Sequence, residues 1–105
     1  MTPKPGEVYM VDLGLAGKVR PEVIVSREDA KSPRALSVAV PLTSQNGGSK
    51  YEVKMPRVPW LGLQSFANVQ AISSVEHHEL LHKKGRFESA VVRQIRDAIQ
   101  WAVEI

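Results

Sequence analysis

A mostly β domain capped by a C-terminal helix is the fold class that the 105-residue sequence predicts. Three observations carry it. Short segments rich in β-formers recur along the first three-quarters of the chain, each ended by glycine, proline or an Asn-Gly cluster. Val23-Ile24-Val25 is a continuous apolar triplet, the pattern of a strand buried on both faces. From Glu88 to Ile105 there is no glycine or proline, and Val91, Ile95, Ala98, Ile99, Ala102 and Ile105 recur at helical spacing.

Each element follows from local composition. Residues 7–12, Glu-Val-Tyr-Met-Val-Asp, read as the first strand, and Gly14 and Gly17 end it. Residues 22–27 hold the second strand. The polar stretch Glu28 to Arg34, with Pro33, is a loop. The third strand runs from Leu36 to about Leu42. Residues 45–49, Gln-Asn-Gly-Gly-Ser, give the strongest turn signal in the chain. Tyr51-Glu52-Val53-Lys54-Met55 then alternates with period two. Residues 36–44 and 51–55 are therefore expected to form a hairpin-like pair. Pro56, Pro59 and Gly62 mark a loop, and residues 65–73 a fifth strand. Residues 76–82 read as one or two helical turns stopped by Lys83-Lys84-Gly85. The terminal helix is expected to pack on the sheet through Val92, Ile95, Ile99 and Trp101. The whole chain, 1–105, reads as a single domain.

Composition narrows function. With no cysteine, a disulfide scaffold, a thiolate zinc finger, an iron–sulfur site and a cysteine nucleophile are excluded. No apolar run approaches the ~20 residues of a membrane span. The first residues, Met-Thr-Pro-Lys-Pro-Gly, lack the apolar core of a signal peptide, so a soluble cytoplasmic protein is the expectation. The formal charge is +3, and it is uneven: residues 1–87 hold twelve bases and eight acids, residues 88–105 two and three. An anion site is expected on the front part of the chain.

Two segments offer chemistry to such an anion. Lys18 and Arg20 in Gly17-Lys18-Val19-Arg20-Pro21 are expected in a turn before a buried strand, where a guanidinium fork meets a phosphate. The same segment is also consistent with a solvated turn. Pro41-Leu42-Thr43-Ser44-Gln45 sets polar side chains at the exit of an apolar strand, where hydroxyls bind phosphate oxygens or cap a turn.

Arg20-Pro21 before Glu22-Val23-Ile24-Val25-Ser26, followed by Val38-Ala39-Val40-Pro41-Leu42-Thr43-Ser44, resembles the MazF/PemK family of toxin–antitoxin ribonucleases. The opening Pro5-Gly6-Glu7-Val8-Tyr9-Met10-Val11-Asp12-Leu13, the segment Ser65-Phe66-Ala67-Asn68-Val69 and the closing helix fit the same family in the same order. The resemblance implies an SH3-like small barrel of the kind shared by MazF and CcdB, and a homodimer. It implies cleavage of single-stranded RNA, such as mRNA, without a metal or other cofactor, and an antitoxin partner that occludes the RNA groove. It assigns catalysis to Arg20 and Thr43. The 2′-OH attacks the adjacent phosphate, a fixed guanidinium stabilises charge on the non-bridging oxygens, and the threonine hydroxyl holds the phosphate in line. Lys18, Ser44, Gln45, Asn68 and Gln70 are the candidate RNA-binding residues, the amides reading base edges.

The chain also departs from that family. Leu13 to Val19 contains no acid, and Gln70 stands where many members carry aspartate. No general base is assigned. A non-catalytic CcdB-like toxin or interaction module on the same fold is therefore the alternative. His78-Glu79-Leu80-Leu81-His82 matches the zinc motif H-E-x-x-H, which requires both histidines on one helix face. Trp60 and Phe66 flank Leu61-Gly62-Leu63 and are expected to be core or dimer contacts; an exposed Trp60, between Pro59 and Leu61, is the better placed of the two to meet RNA or an antitoxin.

Overall fold

The computed structural model describes residues 2–14 and 18–105. Seven strands precede one helix: β1 (Glu7–Asp12), β2 (Val19–Ile24), β3 (Leu36–Thr43), β4 (Glu52–Lys54), β5 (Phe66–Asn68), β6 (Ser73–Glu76), β7 (Leu80–Arg86) and α1 (Ser89–Val103). They form an antiparallel sheet in the order β4-β5-β3-β2-β1-β7, with β6 also paired to β3. This is the expected mostly β, SH3-like architecture with a terminal helix. Among the described residues β4 and β7 remain unpaired edges, so the sheet does not close into a full barrel.

The sheet is buried on both faces. Val8, Val23, Val25, Val40, Leu42 and Ala67 face a core completed by Met55, Phe87 and Ile95. Their chain neighbours Tyr9, Ile24 and Ala39 point the other way, into a second cluster with Val11, Val75 and Leu80. The period of two in side-chain direction explains why the central strands read as continuous apolar runs. Helix α1 covers the first face with Val92 and Ile95. Arg96 ties it down, donating to the Val25 carbonyl from Nε (3.2 Å) and Nη2 (2.9 Å). The helix ends in a left-handed residue, Glu104 (φ 59°), with Glu104 and Ile105 N–H returning to the carbonyls of Trp101 and Gln100. Trp101 stays half-exposed and meets Tyr51 edge-on at 4.9 Å, at the margin of the core rather than within it.

Four expectations change. β4 pairs with β5, not with β3, because the end of β3 is already paired to β5 through Leu42–Ala67 and Thr43–Phe66. The intervening loop is drawn toward β4 instead. The Glu52 carboxylate accepts from the N–H groups of Gly47 and Ser49 and the Ser49 hydroxyl, which holds its pKa below the usual range. A Cβ at residue 47 would lie 2.8 Å from that carboxylate and would push it off these donors.

The expected strand over residues 65–73 is broken by a 3-10 turn, Val69–Ala71, between β5 and β6. Three steps along β3, from Leu42 to Ala39, correspond to six on its partner, from Ala67 to Ser73. The turn takes up the excess, with the Asn68 side chain accepting from Gln70 N–H. The expected helical turns over 76–82 are a 3-10 turn at His77–Glu79 followed by β7. Lys83-Lys84-Gly85 therefore lies inside a strand, and Gly85 is needed because the Trp60 indole occupies the space of a Cβ. Finally, Arg20 is a strand residue paired with Val11, not a turn residue. Gly17, the start of that expected turn, lies outside the described residues.

Candidate active site

β2 and β3 are paired at Ile24–Ala39, Val23–Val40 and Glu22–Pro41, where the ladder ends. Pro21 and Pro41 both lack an N–H, so the ladder stops at residues that cannot donate to it. Continuing the register by two residues sets Arg20 level with Thr43. Thr43 is in turn paired with Phe66, and Phe66 with Lys54. Directly paired residues share a sheet face. One row therefore runs Arg20, Thr43, Phe66, Lys54 across four strands, with a cation on the first and the last of them, and continues past Arg20 to Val11 on β1. In the next row Glu22 lies between Tyr9 and Pro41, and Asn68 stands one residue beyond the Leu42–Ala67 pair, level with Pro41.

Arg20 is exposed, and Thr43 half-exposed. The Thr43 Oγ1 accepts from Gln45 N–H at 3.1 Å, which fixes the hydroxyl while leaving its proton to donate elsewhere. Thr43 and Ser44 line a cavity of about 300 Å³ with Pro21, Leu42, Leu61 and Leu63. Asn68 Oδ1 is occupied by Gln70 N–H at 3.1 Å, so its amide N–H₂ is the group left for a ligand. The fold thus brings Arg20, Thr43, Ser44 and Asn68 around the ends of β2, β3 and β5, with Gln45 just beyond. Gln70 is exposed on the 3-10 turn after β5. Lys18 lies before β2, two residues from Arg20, where its carbonyl accepts from Leu13 N–H and its side chain is exposed.

Two residues near these rows were not singled out from sequence. Lys54 extends the Arg20–Thr43 row. Glu22 is 3% exposed, and its Oε1 has no hydrogen-bond partner among the described residues. Burial raises its pKa above the ordinary value of 4.5; Arg20 opposes that shift and Glu79 adds to it. The signal was present in the sequence: Glu22 is a charge at the head of the buried run Val23-Ile24-Val25.

The histidines do not assemble. His77 meets Ser37 Oγ through Nε2 at 2.9 Å, and exposed His78 pairs with Glu76 at 3.3 Å. His78 is on a 3-10 turn and His82 on β7, so the helix face required by H-E-x-x-H is not formed. Trp60 is half-buried, tilted on Phe87 at 5.0 Å and stacked over Gly85. It is a packing residue, because β7 and the residue that follows it bring Gly85 and Phe87 beneath it.

The family model for PemK-like, MazF-like toxins of type II toxin–antitoxin systems matches residues 4–103. The chain belongs to this family. An endoribonuclease solved in complex with its cognate antitoxin, from a mycobacterial species, superposes with a TM-score of 0.84 at 28% identity. That match covers 98% of this chain and 96% of the other. A second mycobacterial endoribonuclease structure gives 0.80 at 28% identity, covering 98% and 92%. MazF from Deinococcus radiodurans has the same fold, with a TM-score of 0.83 at 18% identity and coverage of 100% and 99%. A search of curated protein sequences gives no match. Among the described residues no helix is long and apolar enough to cross a membrane.

Proposed function

We propose that this MazF/PemK-family toxin is an endoribonuclease that cleaves single-stranded RNA, mRNA included, by attack of a ribose 2′-OH on the adjacent phosphate. The observation that carries the reading is the register that sets Arg20 level with Thr43 just past the last β2–β3 pair. Arg20 binds the non-bridging oxygens as charge builds on them. Thr43 donates its hydroxyl to the phosphate, held in place by Gln45 N–H. Ser44, Gln45, Asn68, Gln70 and Lys18 contact the flanking nucleotides. The products are a 2′,3′-cyclic phosphate and a 5′-OH. The Arg20 guanidinium supplies the positive charge at the phosphate, so the reaction proceeds without a metal ion.

The whole chain, 1–105, serves as one toxin domain of the cytoplasm. It works as a homodimer and is neutralised by a cognate antitoxin laid across the RNA site. The related endoribonuclease–antitoxin complex and the MazE–MazF complexes of Deinococcus radiodurans support the antitoxin reading. Sedimentation equilibrium is expected to give a dimer; a lone 11.6 kDa species at micromolar concentration contradicts it.

The test is incubation of the purified protein with a long RNA in EDTA, followed by mapping of the new ends. Discrete cuts leaving 5′-OH ends are expected. Activity lost on chelation and restored by zinc overturns the metal-free chemistry. Growth arrest by a protein that leaves RNA intact favours the non-catalytic CcdB-like mode.

A further inference from the structure

We propose that Glu22 is the general base of this reaction, taking the proton from the attacking 2′-OH. The inference rests on the RNA-cleavage reading above and adds the residue that it lacks. Glu22 closes the β2–β3 ladder, and Arg20 and Thr43 are the level residues just beyond it. Arg20 and Glu22 are two apart on one strand, so both side chains leave the same face, with Cα atoms roughly 6.7 Å apart. A ribose reaching from a phosphate held by Arg20 and Thr43 toward the next row, where Glu22 lies between Tyr9 and Pro41, meets the carboxylate.

The carboxylate is kept free for that role. Its Oε1 is buried without a donor, an arrangement that folded proteins retain at a cost. The groups around it do not satisfy it. Across β1, the Tyr9 hydroxyl is committed to Glu7 Oε1 at 3.0 Å. Across β3 stands Pro41, which has no charge. Glu79, in the turn before β7, repels it, and Arg20 on its own strand attracts it without forming an ion pair. Oε2 is not enclosed in this way and makes no hydrogen bond among the described residues, so it is the oxygen at which the carboxylate takes a substrate hydroxyl. Burial also makes the carboxylate a stronger base than a solvated one.

The step balances. As the O2′–P bond forms, the 2′ proton passes to the Glu22 carboxylate. The P–O5′ bond breaks, and the leaving 5′ oxygen takes a proton from water. Glu22 then returns its proton to solvent.

Single-turnover cleavage at a mapped site tests this, using the parent, Glu22→Gln and Arg20→Ala side by side with thermal unfolding of each. Glu22→Gln keeps the shape and removes a buried charge, so it is expected to fold. Its rate should fall by about 10²–10⁴. Its affinity for a 2′-O-methyl RNA of the same sequence should stay within about threefold, since that RNA offers no proton to abstract. The parent rate should rise with pH through the Glu22 titration and level off, and the variant should lose that rise. Glu22→Asp should keep the rise at a reduced rate. An RNA with sulfur at the 5′ leaving position should not rescue Glu22→Gln, because a thiolate leaves without help from an acid.

A Glu22→Gln rate within threefold of the parent overturns the proposal. So does rescue by the thiolate substrate, which makes Glu22 the acid. Equal losses of binding and rate also overturn it. If Arg20→Ala is inactive in the same assay while Glu22→Gln is normal, the RNA-cleavage reading stands and only the base is wrong. If the parent itself cleaves nothing, both fall.

Discussion

Glu7 on β1 and Glu22 on β2 are both almost fully buried, at 6% and 3% exposure. They lie on adjacent strands, linked by Tyr9, which hydrogen-bonds Glu7 and is paired with Glu22. Glu7 is surrounded by donors. Lys4 N–H lies 2.7 Å from Oε1, the Tyr9 hydroxyl 3.0 Å from the same oxygen, and Lys83 Nζ 3.2 Å from Oε2. Burial pushes its pKa up, but the bonds from Lys4, Lys83 and Tyr9 together outweigh burial and hold it below 4.5. The pair also pushes the Tyr9 hydroxyl up to about 12, by burial first and by its bond to Glu7 second. Glu22 has burial and no donors, and its pKa moves the other way. Identical side chains in one fold thus differ because one is built into a network and the other is left open. The first joins β1 to β7. The second sits beside the residues that meet the phosphate.

The largest effect belongs to the open end. Arg20→Ala should lower the single-turnover cleavage rate by ~10²–10³, the usual loss for a donor aimed at developing charge. Arg20 is exposed, so its truncation leaves no core cavity and should cost under about 0.5 kcal/mol of stability. Arg20→Lys should restore only part of the rate, because an ammonium lacks the fork. Thr43→Ala should cost ~10-fold or somewhat more with an unchanged melting temperature, since a single hydrogen bond to a charged group is lost. Rates near the parent value for Arg20→Ala would remove the functional half of the comparison.

Glu7→Gln should do the reverse: little change in cleavage, and a loss of about 1–3 kcal/mol in stability. The amide presents its own N–H₂ to donors that previously met a carboxylate, so at least one is left unpaired. For a domain of this size that is a fall of several degrees in melting temperature, compared at one protein concentration. Lys83→Ala should cost less, because the Lys83 side chain is 53% exposed and water can replace part of what it supplies. A Glu7→Gln protein that melts with the parent would show that the network is not structural.

Periodicity made the central strands and α1 legible in the sequence, because both faces of the sheet are apolar and the helix has a single buried stripe. β7 was not legible. Leu81, His82, Lys83 and Lys84 are all exposed along an edge strand, so no alternation marks it, and Gly85 imitates a helix stop while serving the Trp60 contact. The split of β5 from β6 was hidden for another reason: it depends on a register difference against β3, a non-local quantity. Arg20 and Thr43 were read from their order in the chain, and pairing then set them level. Glu22 was legible only in part: its place at the head of Val23-Ile24-Val25 signals burial, whereas the missing donor depends on what β1, β3 and the turn before β7 bring around it.

The smallest expected effect separates the two carboxylates in a single titration of stability. A carboxyl group with a lowered folded pKa binds fewer protons in the folded state than in the unfolded one. Glu7 therefore contributes stability that is complete above about 4.5 and lost as the pH falls through its lower folded value. Glu22 has a raised folded pKa, so the folded state binds more protons. Its burial costs nothing at low pH. The fold weakens as the pH rises from about 4.5 through the raised folded value, and the loss is then constant. Each unit of displacement corresponds to about 1.4 kcal/mol. Glu22→Gln removes only this contribution. Its melting temperature should match the parent near pH 4 and exceed it increasingly toward neutrality, with the gap levelling once Glu22 is ionised in the parent. Glu7→Gln should show the mirror image, its deficit shrinking as the pH falls below 4.5 and Glu7 protonates in the parent. The measurement is thermal unfolding of the three proteins across pH 3–8 at constant ionic strength. A gap between Glu22→Gln and the parent that is flat in pH would mean that Glu22 finds a donor in solution, and the distinction from Glu7 would collapse.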